Sequence, residues 1–433
     1  MDRRLGAIPE SRYVRAVISE ADATATSSWP ELPEVARGVL LEVLIHGPLS
    51  RAEIATRLRL SRPTLTRVTK ALVAQGLLVE GDTRPRASAG RPSEMLHVRG
   101  PAHRFLGVKL TADRLFAAVT DLTATSLTTV EEPLRSAAPD DVVARIADVA
   151  RRFPGLTGIG VTLGGVVLDG LVARDELLRW TDVPLKAAVT GATRVPTAVD
   201  NDVQALTAAE HWFGPGAGLT SLAVITVGAG VGTGLIVSGG LVAGSHGLPP
   251  HFSHTLVDAA GPQCGCGRRG CVSSYLMTHV MLRRLPGRPT YAEALDRVRA
   301  GEPHARQVFD EAGYALGVLI GTVANVIDPQ KVLLTGDGLP LYEVSAPLVH
   351  DGIEDTYEDD PDLIDLDVRP FDFSEWARSG AALAIKATIT GSITDRPRAA
   401  PRQALLSSPS NTARASPPGR MPRSASSTRH SRW

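Results

Sequence analysis

All three cysteines of this chain lie within eight residues, in the run Cys264-Gly265-Cys266-Gly267-Arg268-Arg269-Gly270-Cys271. Such clustering, with an odd count, argues for metal ligation over a disulfide framework. The longer stretch HFSHTLVDAAGPQCGCGRRGCVSSY adds His254 upstream. One imidazole and three thiolates make a complete tetrahedral set for Zn2+, and a set with no open position implies a structural ion, not a hydrolytic one. The expected ligands are His254, Cys264, Cys266 and Cys271, with His251 and His246 as nearby alternatives for the nitrogen. Gly265, Gly267 and Gly270 let the backbone turn tightly around the ion.

The chain has 433 residues, enough for two or three domains with cores of their own. Its formal net charge is zero, so the overall balance announces no nucleic-acid partner, but the distribution does. From Arg51 to Arg99, ten Lys or Arg stand against four Asp or Glu. No apolar run reaches the roughly 18–20 residues that cross a bilayer. The opening MDRRLGAIPE lacks the apolar core of a secretion signal. The expectation is a cytoplasmic protein with no membrane partner.

Residues 1–30 show no sustained periodicity and read as a flexible segment. Residues 31–99 read as a small helical domain with a β-wing, and Gly100 to Arg104 as a short linker. From 105 to 392, strand-like and helical runs alternate. FLGVKL and LFAAVTDL look like a hairpin, and LTGIGVTL, PTAVD, LAVITVG and KVLLTG like buried strands. Helices are expected at 140–152, 201–213, 303–327 and 374–389. That alternation predicts α/β architecture with partly parallel sheets. In residues 393–433 Ser, Pro, Arg and Ala dominate. Such a basic tail buries too little apolar surface to offset its ordering entropy and is expected to be disordered.

The clearest local logic lies in residues 32–81. Val35, Val39, Leu40, Val43 and Leu44 recur at helical spacing and are expected to face a core. Gly47 and Pro48 end that helix, and Ser50 with Glu53 makes a capping box for a second. Ser61 caps a third, with Pro63 in its first turn, and Gly76 ends it. Two short helices, a tight turn and a following hairpin make a winged helix-turn-helix, whose second helix lies in the DNA major groove. Its outward side carries Ser61, Arg62, Thr64, Thr66, Arg67 and Lys70. Arginine reads guanine edges or grips phosphate, and threonine touches a thymine methyl or phosphate. Arg84, Arg86 and Arg91 on the wing are expected to reach an adjacent minor groove.

Residues 105–389 resemble the ROK family of repressors, open reading frames and sugar kinases. The resemblance rests on the cysteine run, on GAGVGTGLIVSGGLVAGSHG and on WTDVPLKAAVTGATRVPTAVDNDVQALTAAEHWFG. The winged helix before them matches the family's regulator branch. The resemblance implies two ribonuclease-H-like lobes, as in sugar kinases and actin, with a cleft between them. It also implies a homodimer or homotetramer, and a dimer suits a two-fold operator.

In the family's kinases an Asn-Asp pair binds sugar hydroxyls and supplies the catalytic base. Here that pair is Asn201-Asp202. The same residues also suit a helix N-terminus, so Asp202 alone is a vestigial base candidate. The family's first phosphate loop usually reads Asp-x-Gly-Gly-Thr-Lys, whereas this chain has Lys109-Leu110-Thr111-Ala112-Asp113-Arg114. A metal-holding carboxylate has become a lysine, and the glycines that admit phosphate are gone. The second loop, Gly228 to Gly234, survives, while Asp337 interrupts the late Thr335-Gly336-Asp337-Gly338 turn. These departures argue against ATP binding. His251 stands where the family has a sugar-contacting glutamate, and Ser273 where it often has a second. The remaining effector-site candidates are Gly165, Asn201, Asp202, His251 and His254.

The sequence thus predicts a transcriptional regulator, in the sense of a repressor. It would bind a double-stranded DNA operator and respond to a sugar-like effector through a kinase-like domain that is no longer an enzyme. Two competing readings are an active sugar kinase with a DNA-binding appendage and a constitutive dimeric DNA-binding protein.

Overall fold

The computed structural model describes residues 29–84, 93–244, 248–370 and 372–391, without the side chains of 82–84. Residues 1–28 of the segment expected to be flexible, the C-terminal tail from 392, Arg86, Arg91 and His246 lie outside the described residues.

The N-terminal part holds α1 (Glu34–His46), β1 (Leu49–Ser50), α2 (Arg51–Arg57), α3 (Arg62–Ala74), β2 (Leu78–Arg84) and β3 (Ser93–Val98). The capping box at Ser50 and Glu53 is present, and Ser61 caps α3 by accepting the Thr64 amide. The strands form a small sheet in the order β1-β3-β2. Val39, Leu40, Val43, Ile54, Leu65 and Leu72 fill the core between the helices. Val35 does not face it: that side chain, in the first turn of α1, is 41% exposed.

The first lobe comprises β4 (Arg104–Leu110), β5 (Arg114–Asp121), β6 (Ser126–Pro133), α4 (Pro139–Arg151), β7 (Leu156–Leu163), β8 (Val166–Leu168), β9 (Leu171–Asp175), β10 (Trp180–Val183), α5 (Leu185–Thr193), β11 (Thr197–Asn201) and α6 (Asp202–Phe213). Its main sheet has the order β11-β7-β4-β5-β6, with β4 antiparallel to β5 and parallel to β7. The second lobe holds β12 (Leu222–Val227), β13 (Val231–Val237), β14 (Gly240–Leu241), α7 (Ser273–Leu276), α8 (Thr278–Arg283), α9 (Tyr291–Arg299), α10 (Pro303–Ile327), β15 (Val332–Thr335), α11 (Pro340–Glu354) and β16 (Leu366–Val368), after which the chain returns to the first sheet as α12 (Phe373–Thr390). Its sheet runs β14-β13-β12-β15-β16, so the two lobes repeat one topology: three antiparallel strands, then two parallel to the first. This is the doubled, ribonuclease-H-like arrangement that the resemblance implied.

The expected linker at Gly100–Arg104 is not loose. Gly100 is buried in a single 3-10 turn whose carbonyl accepts the Leu122 amide at 3.1 Å, and Arg104 already belongs to β4. The winged helix shares its core with β4 and α12: Phe105, Ala381, Ile385 and Ile389 pack in the same cluster as Val39 and Leu40.

Helix α12 lies on the first sheet backbone to backbone. A Cβ on Gly160 would sit 1.8 Å from the Gly380 carbonyl oxygen, and one on Gly107 would sit 1.9 Å from that of Ala377. Only glycine permits that approach. Gly160→Ala is therefore expected to destabilise the protein by at least the ~1–3 kcal/mol of overpacking. Gly191→Ala, in α5 with nothing within 4 Å of its added methyl, should be neutral or gain up to ~1 kcal/mol from helix propensity. Urea unfolding midpoints of the two variants check the contrast.

Candidate functional site

Three places carry the sequence-predicted residues. On α3, Ser61, Arg62, Thr66, Arg67 and Lys70 are exposed, while Thr64 is half-buried with its hydroxyl 2.8 Å from that of Ser61. Thr66 donates its hydroxyl to the Arg62 carbonyl at 2.9 Å. Part of the local positive excess is already neutralised. Arg51 pairs with Glu80 and with Glu94, and Arg57 pairs with Glu42. Arg62, Arg67 and Lys70 make no ion pair among the described residues and present their charge outward. Arg84 ends β2 opposite Ser93.

The cysteine loop gathers His254, Cys264, Cys266 and Cys271, with all four ligand atoms within 4.8 Å of one another. The Cys266 and Cys271 sulfurs are 3.7 Å apart, and the Cys264 sulfur is 3.5 Å from His254 Nδ1. A tetrahedral zinc–thiolate centre with bonds of about 2.3 Å has edges of about 3.8 Å, so these residues fit the ion. Hydrogen bonding from the Arg268 backbone pulls the Cys266 thiol down to about 6, whereas burial pushes the Cys271 thiol up to about 12. One thiolate is ready at neutral pH, and a metal would draw the buried proton off. His254 belongs to this cluster, and Ser273 lies 3.3 Å from its Nδ1. His251 is exposed and makes no hydrogen bond among the described residues.

The cleft residues stand at the carboxyl ends of parallel strands, where open α/β sheets bind ligands. Lys109 is near the end of β4, Gly165 follows β7, and Asn201 ends β11. Asn201 is spent on local structure. Its Oδ1 accepts the Val203 and Gln204 amides as the cap of α6, and its Nδ2 donates to the Gly165 carbonyl at 3.1 Å. Gly165 is required by close approach, since a Cβ there would sit 2.4 Å from the Arg174 carbonyl oxygen.

The sequence flagged Lys109 as a departure but missed its partner. The Lys109 ammonium forms an ion pair with Asp202 Oδ2; both residues are 7% exposed. The ring of Trp376 covers the ammonium, its centroid 4.9 Å from Nζ. The available signal was charge balance: a carboxylate at a buried helix start needs a cation, and a lysine stands where the family resemblance led us to expect an acid. In the second lobe Asp337 presses against Gly228 and accepts the Ala229 amide at 3.4 Å. Burial raises the Asp337 pKa, opposed by backbone hydrogen bonds and by the charge of Lys109. A side-chain carboxylate thus sits in the surviving glycine loop.

Comparison with known proteins agrees with this geometry. The ROK family profile matches residues 105–351, and the MarR family profile matches residues 32–87. The chain belongs to the ROK family. It is 25% identical over 308 residues to the xylose repressor of Bacillus spizizenii, covering 68% of this chain and 80% of the repressor. It is 27% identical over 334 residues to the DNA-binding transcriptional repressor Mlc of Escherichia coli K12, covering 71% and 82%. A solved ROK family transcriptional regulator, a homologue of E. coli Mlc, shares the fold with a TM-score of 0.69 at 23% identity, over 82% of this chain and 97% of the other. Sugar kinases among the relatives align over 42% to 46% of the chain. This ROK chain is therefore similar to regulators over a longer span than to kinases. Among the described residues no helix is long and apolar enough to cross a membrane.

The purified chain should carry about one zinc by elemental analysis, and Cys271→Ser should lose it and melt at lower temperature. Asp202→Ala, which strands the Lys109 charge, should cost ~3–5 kcal/mol in urea unfolding, while Lys109→Met with Asp202→Leu should recover most of that loss.

Proposed function

We infer that this ROK protein is a sugar-responsive, DNA-binding transcriptional repressor whose kinase-like cleft senses its ligand without phosphorylating it. The observation that carries the second half is the Lys109–Asp202 ion pair. A general base must be free to take a hydroxyl proton, and a carboxylate already held by a buried ammonium is a poor acceptor. Phosphoryl transfer is mostly positioning and electrostatic stabilisation. Here the acid that would help hold magnesium is the cation, and Asp337 adds negative charge where phosphate would lie. ATP is not a cofactor on this reading. Hydroxyl recognition needs less, and Gly165, Asn201, Asp202, His251 and His254 remain the effector-site candidates.

The outward cations of α3 support the DNA-binding half. Arg62, Thr66 and Lys70 recur four residues apart along one row, with Arg67 beside them. Together with Ser61, Thr64 and the wing residues Arg84, Arg86 and Arg91, they would contact an operator, and paired winged helices in a homodimer or homotetramer would match its symmetry. The same reading makes the protein cytoplasmic and the zinc structural.

Three elements run from the cleft to the winged-helix core. On β4, Lys109 lies four residues from Phe105. On α6, Asp202 is at one end and Phe213 at the other. On α12, Trp376 covers Lys109 while Ile389 packs with the winged helix, a span of about 20 Å along the helix. A ligand that shifts the ion pair therefore acts on elements that seat the DNA-binding part. It shifts operator affinity only as far as it binds the two states unequally.

Random-site DNA selection with the full chain, with and without neutral sugars, tests this. A selected operator should be bound, and bound differently with an effective sugar. Arg67→Ala should lower operator affinity by about 5- to 150-fold and reduce the salt slope by about one. Incubation with magnesium-ATP and hexoses should yield no sugar phosphate. Product that vanishes in Asp202→Asn would overturn the non-catalytic reading.

A further inference from the structure

Away from the cleft, a half-open pocket of about 260 Å³ lies between α6, α12 and the strands β12 and β15. Its walls include Glu210, Thr335, Trp376 and Arg378, with Pro215 and Pro370 at its margins. None of the residues discussed as effector-site or DNA contacts lines it, and Trp376 is the one residue it shares with the surroundings of the Lys109–Asp202 pair.

We propose that this pocket is a second ligand site, and that it takes a small, uncharged polyhydroxyl molecule. Size sets the first limit: the volume falls below the roughly 300–1,000 Å³ of sites for drug-sized ligands, so one ring fits. Charge sets the second. Every charged wall group already has an opposite or hydrogen-bonding partner. Arg378 pairs with Glu375 at 2.7 Å and with Glu210 at 3.6 Å, and Arg369 pairs with Asp367 at 2.9 Å. Asp372 accepts the Ser374 amide at 2.8 Å. A charged ligand would meet a like charge beside an opposite one at each pair, Glu375 beside Arg378 and Asp367 beside Arg369. A hydroxyl can instead donate to a paired carboxylate and accept from a paired guanidinium without separating them. Burial also raises the Glu210 pKa, with Arg378 opposing. The apolar wall of Leu206, Val224 and Leu333 beside the Trp376 ring suits the C–H faces of a ring. Occupation would bear on Trp376, and through it on the Lys109–Asp202 pair.

Separating this site from the cleft decides the matter. Gly164 is exposed, and a side chain built on it would start 3.7 Å from Asp202 Oδ2, so Gly164→Trp caps the cleft mouth. Calorimetric titration of full-length Gly164→Trp protein with D-glucose, D-xylose and myo-inositol should find one equivalent of at least one of them bound. D-glucose 6-phosphate should not bind. Adding Thr335→Trp, which fills the pocket, should weaken the polyol at least tenfold, and Glu210→Gln should weaken it without filling anything. Circular dichroism and zinc content verify that each variant is folded, and the Glu210→Gln measurement stands alone if Thr335→Trp fails that check. Absence of binding by all three polyols to the Gly164→Trp protein would overturn the proposal. So would equal binding in Glu210→Gln.

Discussion

The contact of α12 with the first sheet is the constraint on which the rest depends. Gly107 and Gly160 from two neighbouring parallel strands meet Ala377 and Gly380 with no side chain between them. At that separation the helix can neither rotate nor slide without backbone collision, because packed interiors yield by repacking in discrete steps. The seam fixes Trp376 over Lys109 at one end of the helix. At the other end it fixes Ala384, Ile385 and Ile389 against α1 of the winged helix, where the Arg37 guanidinium also donates to the Thr390 carbonyl at 3.3 Å. One rigid rod therefore joins two parts that local sequence treats as separate.

Much of this was legible in the sequence. The four helices expected after residue 139 appear within a residue or two of their bounds, because apolar spacing and end signals such as Asn201, Pro303 and Gly391 agree with the tertiary demand, whereas α11, kinked at Ser345 with Pro347 inside it, was not expected. The metal cluster was legible because its ligands are close in the chain. What escaped was non-local. Nothing near Lys109 in the sequence points to Asp202, ninety-three positions away. Gly100 packs against Asp121 and Thr123 at the end of β5, about twenty positions on, and the expected linker was read from composition alone. Val35 was read into the core, but the buried face of α1 runs through Ala36, Val39, Leu40 and Val43, and Val35 lies to one side of it.

On the proposed reading, electrostatics in the cleft lets a ROK chain keep its fold without the kinase chemistry. In a buried site an unpaired carboxylate is expensive, and Lys109 supplies Asp202 with its partner. The ion pair is then a structural necessity of the altered cleft. It holds the first lobe's strand β4 to the start of α6. Asp337 extends the same logic to the second lobe, filling the glycine loop with a carboxylate that belongs to the chain.

Sensing and phosphorylation place unequal demands on such a cleft, and the difference sets which function survives these changes. Phosphoryl transfer needs charge stabilisation at the transition state, and on the proposed reading this cleft no longer supplies it. Ligand sensing needs only that hydroxyl contacts differ between two arrangements of the lobes. A buried ion pair is well placed to provide that difference, because a hydroxyl inserted at Asp202 competes with Lys109 for the same oxygen. Whatever displaces the ammonium must also disturb Trp376 above it, and Trp376 sits on the helix that the glycine seam prevents from absorbing the change locally. On the proposed reading, the tightness that excludes slack from the fold is what carries a change at one end of α12 to the other.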